Sequence, residues 1–88
     1  MTLSKNNILL FKVENQFLVT RGLILTPGLG DSVNFVTTGA KIKLVRPDKS
    51  ELITTIKGIT FEGNHDILIS SEFSIEDVPV GTEVWTTE

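Results

Sequence analysis

The chain has 88 residues, of which 40% are hydrophobic and 22% charged, and its formal net charge is −3. This length and composition predict a single globular domain over residues 1–88 and argue against global disorder. Because the chain contains no cysteine, a disulfide framework, a thiolate nucleophile and a cysteine-ligated zinc site are excluded.

The charges are unevenly distributed along the chain. Residues 1–61 hold all eight Lys and Arg with four acids, whereas residues 62–88 hold seven acids and neither Lys nor Arg. An acidic final third is a poor surface for a nucleic-acid backbone. Two interpretations stay open: a solvated acidic face that keeps the protein soluble, which we favour, and a surface complementary to a basic partner.

Membrane insertion and export are not indicated. The longest apolar runs are four or five residues, far below the roughly 20 needed to span a bilayer. The N-terminal sequence MTLSKNNILLFKV lacks a basic start followed by a long apolar stretch, so we expect no signal peptide. We therefore expect a cytoplasmic protein without membrane contact.

Nearly all of the local sequence patterns favour β-strands. Short runs rich in Val, Ile, Leu, Phe and Thr alternate with the turn-forming residues Gly, Pro, Asn and Asp. In chain order, the predicted strands cover residues 8–14, 16–20, 23–27, 32–36, 40–46, 52–61, 66–71 and 82–87. Alternation is clearest where Ile42 and Leu44 share one face and Lys41 and Lys43 the other. No long helix is expected. Six to eight short strands favour a small closed or nearly closed antiparallel β-barrel, because closure removes exposed edges.

Three connections have specific turn chemistry. Pro47 and Asp48 favour a tight turn, which would pair the strands on either side as a hairpin. Gly63 and Asn64 can adopt positive φ and predict a second hairpin turn. Residues 26–32, with two glycines and a proline, predict an irregular loop.

The segment SIEDVPVGTEVW predicts one helical turn before the last strand. Ser74 and Asp77 have the spacing of an N-cap and an acid three residues later. Pro79 stops the helix, and Gly81 provides a flexible corner. The closing strand follows, with Val84 facing the core.

Three segments carry motifs of a known domain. FKVENQFLVTRGLILTPGL contains the pair Arg21 and Gly22 between strand residues. GAKIKL begins at Gly39 and has Ala40 at a position where that domain commonly has an acidic residue. IEDVPVGTEVW ends in a D-V-x-x-G-x-x-V pattern. In this order they resemble the second, β-barrel domain of elongation factor Tu and related translational GTPases. The resemblance implies a barrel fold and a possible RNA-facing surface at Arg21.

Catalysis and nucleotide binding are not expected. The phosphate-binding motif G-x-x-x-x-G-K-[ST] is absent, and PGLGD at residues 27–31 is not followed by Lys-Ser or Lys-Thr. His65 is the single histidine and lies in a predicted turn; with Glu62 and Asp66 it forms too small a set for a metal site. Glu76 and Asp77 are explained by the helical turn that they begin. We therefore expect no enzyme, no metal and no cofactor.

Arg21 and Trp85 are the candidate binding residues. Arg21 either contacts RNA or hydrogen-bonds carbonyl groups at a strand bend beside Gly22, and we favour the structural role. Trp85 either offers a stacking platform or an interface anchor, or it covers one end of the barrel.

Our first hypothesis is a non-catalytic binding module that acts through contacts with a partner protein or with itself. The alternative is an RNA- or ribosome-associated module, which predicts that one face gathers Arg21, Lys41, Lys43, Arg46 and Lys57. A carrier or regulator of a larger enzyme is a further form of the first hypothesis.

Overall fold

The computed structural model describes residues 7–60 and 63–87. These residues form an all-β structure with two short 3₁₀ helices. The strands are β1 (Leu9–Lys12), β2 (Asn15–Val19), β3 (Gly22–Thr26), β4 (Lys41–Val45), β5 (Glu51–Thr55), β6 (Gly58–Ile59), β7 (Ile67–Ile69) and β8 (Glu83–Thr86). The first 3₁₀ helix is Gly30–Phe35 and the second is Ile75–Asp77. No helix in this part of the chain is long and apolar enough to cross a membrane.

The strands pair into two antiparallel sheets of four strands each. Sheet A has the order β1-β8-β4-β5, and sheet B has the order β2-β3-β7-β6. Three of the six strand pairs join distant parts of the sequence, namely β1–β8, β4–β8 and β3–β7. The closed barrel expected from the strand count is not found, because the ladders among the described residues end at the edges of these two sheets.

The chain passes between the sheets four times, and two of these passages, from β1 to β2 and from β5 to β6, are tight corners. At the first corner, Val13 exchanges backbone hydrogen bonds with residues 81 and 82 on the sheet A side, and the Glu14 N–H donates to the Thr26 carbonyl in sheet B. At the second, the Ile56 N–H donates to the Ala40 carbonyl, and the Lys57 N–H donates to the Leu68 carbonyl. Val13 and Ile56 are both fully buried, so the corners satisfy their backbone groups without solvent.

One hydrophobic core lies between the sheets. Its fully buried members include Ile42, Leu44 and Val84 from sheet A and Leu23, Leu25, Ile67 and Ile69 from sheet B. Their positions alternate along each strand, as expected when one face of a strand is buried and the other is not. The predicted shared face of Ile42 and Leu44 and the predicted core position of Val84 are confirmed.

Two of the predicted strands are wrong in the structure. Residues 32–36 are mostly in the first 3₁₀ helix, where Val33 and Val36 pack on the core at a spacing of three rather than two. The chain turns here because Leu29 and Gly30 donate backbone hydrogen bonds to the carbonyls of residues 65 and 64. The predicted strand 52–61 is broken at the second corner into β5 and β6, and Phe61 lies outside the described residues.

The predicted hairpins are present. Strands β4 and β5 pair across the turn that contains Pro47 and Asp48, and β6 pairs with β7. In the second turn Gly63 has positive φ as expected, but His65 rather than Asn64 is the other residue with positive φ.

The segment before β8 folds as predicted. Ser74 caps the second 3₁₀ helix, and the Asp77 carboxylate accepts a hydrogen bond from the Ser74 backbone N–H at 2.8 Å. Gly81 then turns the chain with φ of 97°. Val84 therefore lies in the core, and Trp85 points to the opposite face of sheet A.

Candidate functional surface

The most exposed apolar side chains in a strand lie on β2, at the edge of sheet B. Phe17, Leu18 and Val19 are consecutive and are 50%, 60% and 40% exposed. Large apolar residues scattered singly on a surface are normal, but three in a row on an edge strand are characteristic of an interaction site or an aggregation liability.

Only the second half of this edge is open. The Gln16 side chain donates a hydrogen bond to the Val78 carbonyl at 2.8 Å and thereby ties the beginning of β2 to the second 3₁₀ helix. The outward backbone N–H of Gln16 is also within 3.2 Å of the Asn15 side-chain oxygen. Beyond Gln16 no such cover is present among the described residues, so the exposed apolar side chains coincide with the uncovered half.

A groove of about 410 Å³ lies on the outer face of sheet B, beside β2. The register Phe17–Ile24–Leu68–Gly58 crosses the four strands in one row, so these residues share a face. Ile24 and Leu68 are half-buried and form the apolar floor, while Gly58 leaves space that a side chain would fill.

Arg21 and Asp66 line opposite ends of this groove. Arg21 lies in the turn before β3. Asp66 precedes β7, and because Ile67 pairs with Leu25, Asp66 lies beside Thr26 at the other end of β3. Neither side chain forms a hydrogen bond or an ion pair with the residues described, so the carbonyl hydrogen bonds expected of Arg21 beside Gly22 are not found there. Partial burial raises the pKa of Asp66, because desolvation disfavours the ionised carboxylate.

Trp85 lies elsewhere, on the outer face of sheet A. It is half-buried in the row Leu9–Trp85–Lys43–Ile53, and its indole Nε1–H donates to Glu83 Oε1 at 3.0 Å. Trp85 faces away from the core because it alternates with the buried Val84. The structure therefore separates the two candidate binding residues, with Arg21 on sheet B and Trp85 on sheet A.

The basic residues are divided in the same way. Lys41 and Lys43 lie on sheet A, and Lys57 lies at the second corner. Arg46 donates from Nε to the Asp77 carbonyl at 2.7 Å and from its terminal nitrogen to Ser50 Oγ at 3.2 Å, which gives it a structural role between two turns. Arg21 is thus brought together with apolar groups and Asp66, not with Lys41 and Lys43.

His65 lies beside a backbone carbonyl and an apolar groove. Its Nδ1 is 2.9 Å from the Thr60 carbonyl, and its ring lines a separate apolar groove with Val33 and Val36. Glu62 lies outside the described residues. Among residues 7–60 and 63–87, no group of three or more His, Asp or Glu side chains could hold a metal ion.

The exposed apolar run on β2 and the position of Asp66 in the groove were not among the sequence-based expectations. A signal was present in the run FLV, since three consecutive apolar residues violate the alternation expected of a half-buried strand. Asp66 gave no comparable signal, because its position opposite Arg21 depends on the pairing of β3 with β7.

Comparison with known proteins gives no match: no protein-family model, characterised protein or solved structure is significantly similar to this chain.

Proposed function

We propose that this chain is a non-catalytic protein-binding module whose contact surface is the open half of β2 with the adjoining groove of sheet B. The observation that carries the proposal is the exposure of Phe17, Leu18 and Val19 on an edge strand. Partner contact would remove these side chains from water and so stabilise the complex. It would also cover the strand edge.

The groove chemistry favours binding over catalysis. It contains a guanidinium and a carboxylate at opposite ends of an apolar floor, at Arg21 and Asp66. A catalytic site would need a nucleophile with a base, or an acid–base pair, converging on one reacting atom. A separated pair of opposite charges instead suits recognition of a partner by complementary charge.

The test is a pull-down experiment. The wild type, Phe17→Ser and Ile53→Ser are immobilised separately, and the proteins that each of them retains are compared. These two apolar side chains are matched in exposure, at 50% and 49%, but lie on different sheets. We expect a protein retained by the wild type and by Ile53→Ser to be lost with Phe17→Ser. Equal retention by Phe17→Ser would contradict the proposed surface. Sedimentation analysis distinguishes a foreign partner from self-association through β2.

We further propose that the architecture is related to the β-barrel of the second domain of translational GTPases. Support comes from the two corners, since β1 continues into β2 and β5 into β6, and the strand order can be followed around both sheets. An experimental structure with continuous backbone pairing at Val13 and Ile56 would support this relationship. Two sheets that separate at either corner would contradict it.

One observation favours RNA binding as a second candidate function, although the five basic residues expected on one face are divided between different parts of the fold. Lys43 lies directly beside Trp85 on sheet A, with Lys41 two residues before Lys43, and a cation next to an aromatic ring is a common arrangement for single-stranded RNA. Binding of a labelled oligonucleotide at low salt should then weaken steeply as salt is added. Loss of binding in Trp85→Ala and Lys43→Glu would support this function, and undetectable binding by the wild type would remove it.

A further inference from the structure

We infer that the groove on sheet B binds an extended segment of a partner protein that carries an acidic, an apolar and a basic side chain at positions i, i+2 and i+4. The inference rests on the proposed protein-binding function and specifies the chemistry of the partner. The acidic side chain would meet Arg21, the apolar one would pack on Ile24 and Leu68, and the basic one would meet Asp66.

The length of the groove determines the spacing. Gly22, which follows Arg21, and Thr26, which is level with Asp66, are four residues apart in β3. At about 3.3 Å per residue, this separation is about 13 Å. An extended partner segment covers the same distance between positions i and i+4, whose side chains point to the same face.

The charges determine which side chains fit at the ends. Arg21 and Asp66 have no charged partners among the described residues, although they lie in one groove. Asp66 is partly desolvated by its position, and an approaching cation would compensate for the water that the carboxylate has lost. A partner segment with one acidic and one basic side chain therefore forms a favourable charge pair with both Arg21 and Asp66. A segment with two like charges would be repelled by one of these two residues.

The backbone of the partner segment is not fixed by sheet pairing. Strands β3 and β7 are interior strands with neighbours on both sides, so the segment lies across their side chains rather than extending the sheet. Side-chain contacts alone do not impose a direction. Consequently, the order acid–apolar–base and the order base–apolar–acid are both expected to bind.

The probes are acetylated and amidated peptides with the sequences Glu-Thr-Val-Thr-Lys, Lys-Thr-Val-Thr-Lys and Glu-Thr-Val-Thr-Glu. Each is titrated into isotopically labelled full-length protein while the amide resonances of Ile24 and Leu68 are followed by NMR. The wild type should prefer the Glu–Lys peptide over both like-charged peptides. The Arg21→Glu variant should bind the Glu–Lys peptide about fivefold more weakly, in the range of one exposed ion pair.

The specificity of the variants provides the decisive test. Arg21→Glu should now prefer the Lys–Lys peptide, and Asp66→Lys should prefer the Glu–Glu peptide. Such a gain of binding cannot result from misfolding, and the folded state of each variant is checked from the dispersion of its amide spectrum. An unchanged order of preference in both variants, or the absence of binding by all three peptides at millimolar concentration, would overturn the inference.

These outcomes separate the inference from the function on which it rests. If the peptides fail while Phe17→Ser still loses a protein partner, the module binds proteins by the edge of β2 and the groove does not select charges. If Ile53→Ser loses the partner and Phe17→Ser retains it, the proposed surface itself is wrong. Sedimentation that reveals a dimer dependent on Phe17 would identify a second copy as the occupant and would also overturn the inference.

Discussion

Gly22 lies where strands β3 and β7 approach each other closely. A Cβ built on Gly22 would lie 2.0 Å from the carbonyl oxygen of Ile69 in the neighbouring strand β7. Backbone oxygen cannot move away without disturbing the β3–β7 pairing, so the absence of a side chain is required for close approach of the strands. This requirement gives Gly22 a structural reason independent of ligand binding.

We expect Gly22→Ala to lower the free energy of unfolding by about 3 kcal/mol, because the added methyl group overlaps the adjacent backbone. Gly58→Ala is the matched control in the same sheet, since its Cβ would meet only Leu68, at an ordinary 3.6 Å. Denaturant unfolding should show less than about 0.5 kcal/mol of change for the control. Equal stability of the two variants would show that β3 and β7 are less closely paired than described.

Asp48 provides a second prediction at the scale of single residues. Its carboxylate accepts hydrogen bonds from the Ser50 hydroxyl at 2.6 Å and the Ser50 backbone N–H at 2.9 Å, and these bonds lower the pKa of Asp48. Because the folded pKa lies below the unfolded value, the resulting stability is present above the unfolded pKa. It is lost as the pH falls through the folded pKa.

Ser50→Ala should raise the pKa of Asp48 towards its ordinary value of about 3.9, since the hydroxyl donor is removed while the backbone donor remains. The measurement is an NMR pH titration of the Asp48 side-chain carbonyl carbon. Asp31 is a suitable reference in the same spectra, because it lies in a different part of the chain. Identical Asp48 titrations in the wild type and the variant would refute the assigned role of Ser50.

At the scale of elements, the second 3₁₀ helix acts as a cover for β2. Gln16 connects the two through its hydrogen bond to the Val78 carbonyl. The cap at Ser74 and the bond from Arg46 to the Asp77 carbonyl hold the helix in place. Natural sheets commonly protect an edge strand by covering part of it in this way.

Removal of this connection by Gln16→Ala should expose the first half of β2. We expect a loss of about 1 kcal/mol in stability, typical of one hydrogen bond, and faster hydrogen exchange of the backbone amide at position 16. A larger tendency to associate should follow, measurable by sedimentation at increasing protein concentration. Thr20→Ala, at the exposed turn after β2, is the control and should change none of these quantities.

The elements that the sequence predicted well are those determined by neighbouring residues. The β4–β5 hairpin follows from alternation at Ile42 and Leu44 with turn residues at Pro47 and Asp48, and the Ser74 cap follows from local spacing. The first 3₁₀ helix was mistaken for a strand because its geometry depends on hydrogen bonds to residues 64 and 65, which are distant in sequence. The groove was missed for the same reason, since its ends meet only through the β3–β7 register.

For the molecule as a whole, the shared core predicts that the two sheets unfold together. Leu23 from sheet B and Leu44 from sheet A belong to the same buried cluster. Leu23→Ala should destabilise the protein by about 2–5 kcal/mol, through lost burial and a residual cavity.

Trp85 lies on sheet A, so its fluorescence reports on the sheet that does not carry the Leu23→Ala substitution. We expect the fluorescence midpoint in denaturant to fall together with the midpoint from far-UV circular dichroism. Leu44→Ala, in sheet A, should give the same coincidence. A fluorescence midpoint that Leu23→Ala leaves unchanged would mean that the sheets are separate cooperative units.

The position of β8 between β1 and β4 also constrains when sheet A can form while the chain is being synthesised. Sheet A needs β8 at its centre, yet β8 is the last of the described strands to leave the ribosome. Until then, β1 has no partner in its sheet, and only the β4–β5 hairpin can form there. Pairing between strands that are more than 70 residues apart is slow to close. During this interval the nascent chain presents unpaired apolar strands, and protection by chaperones would matter most then.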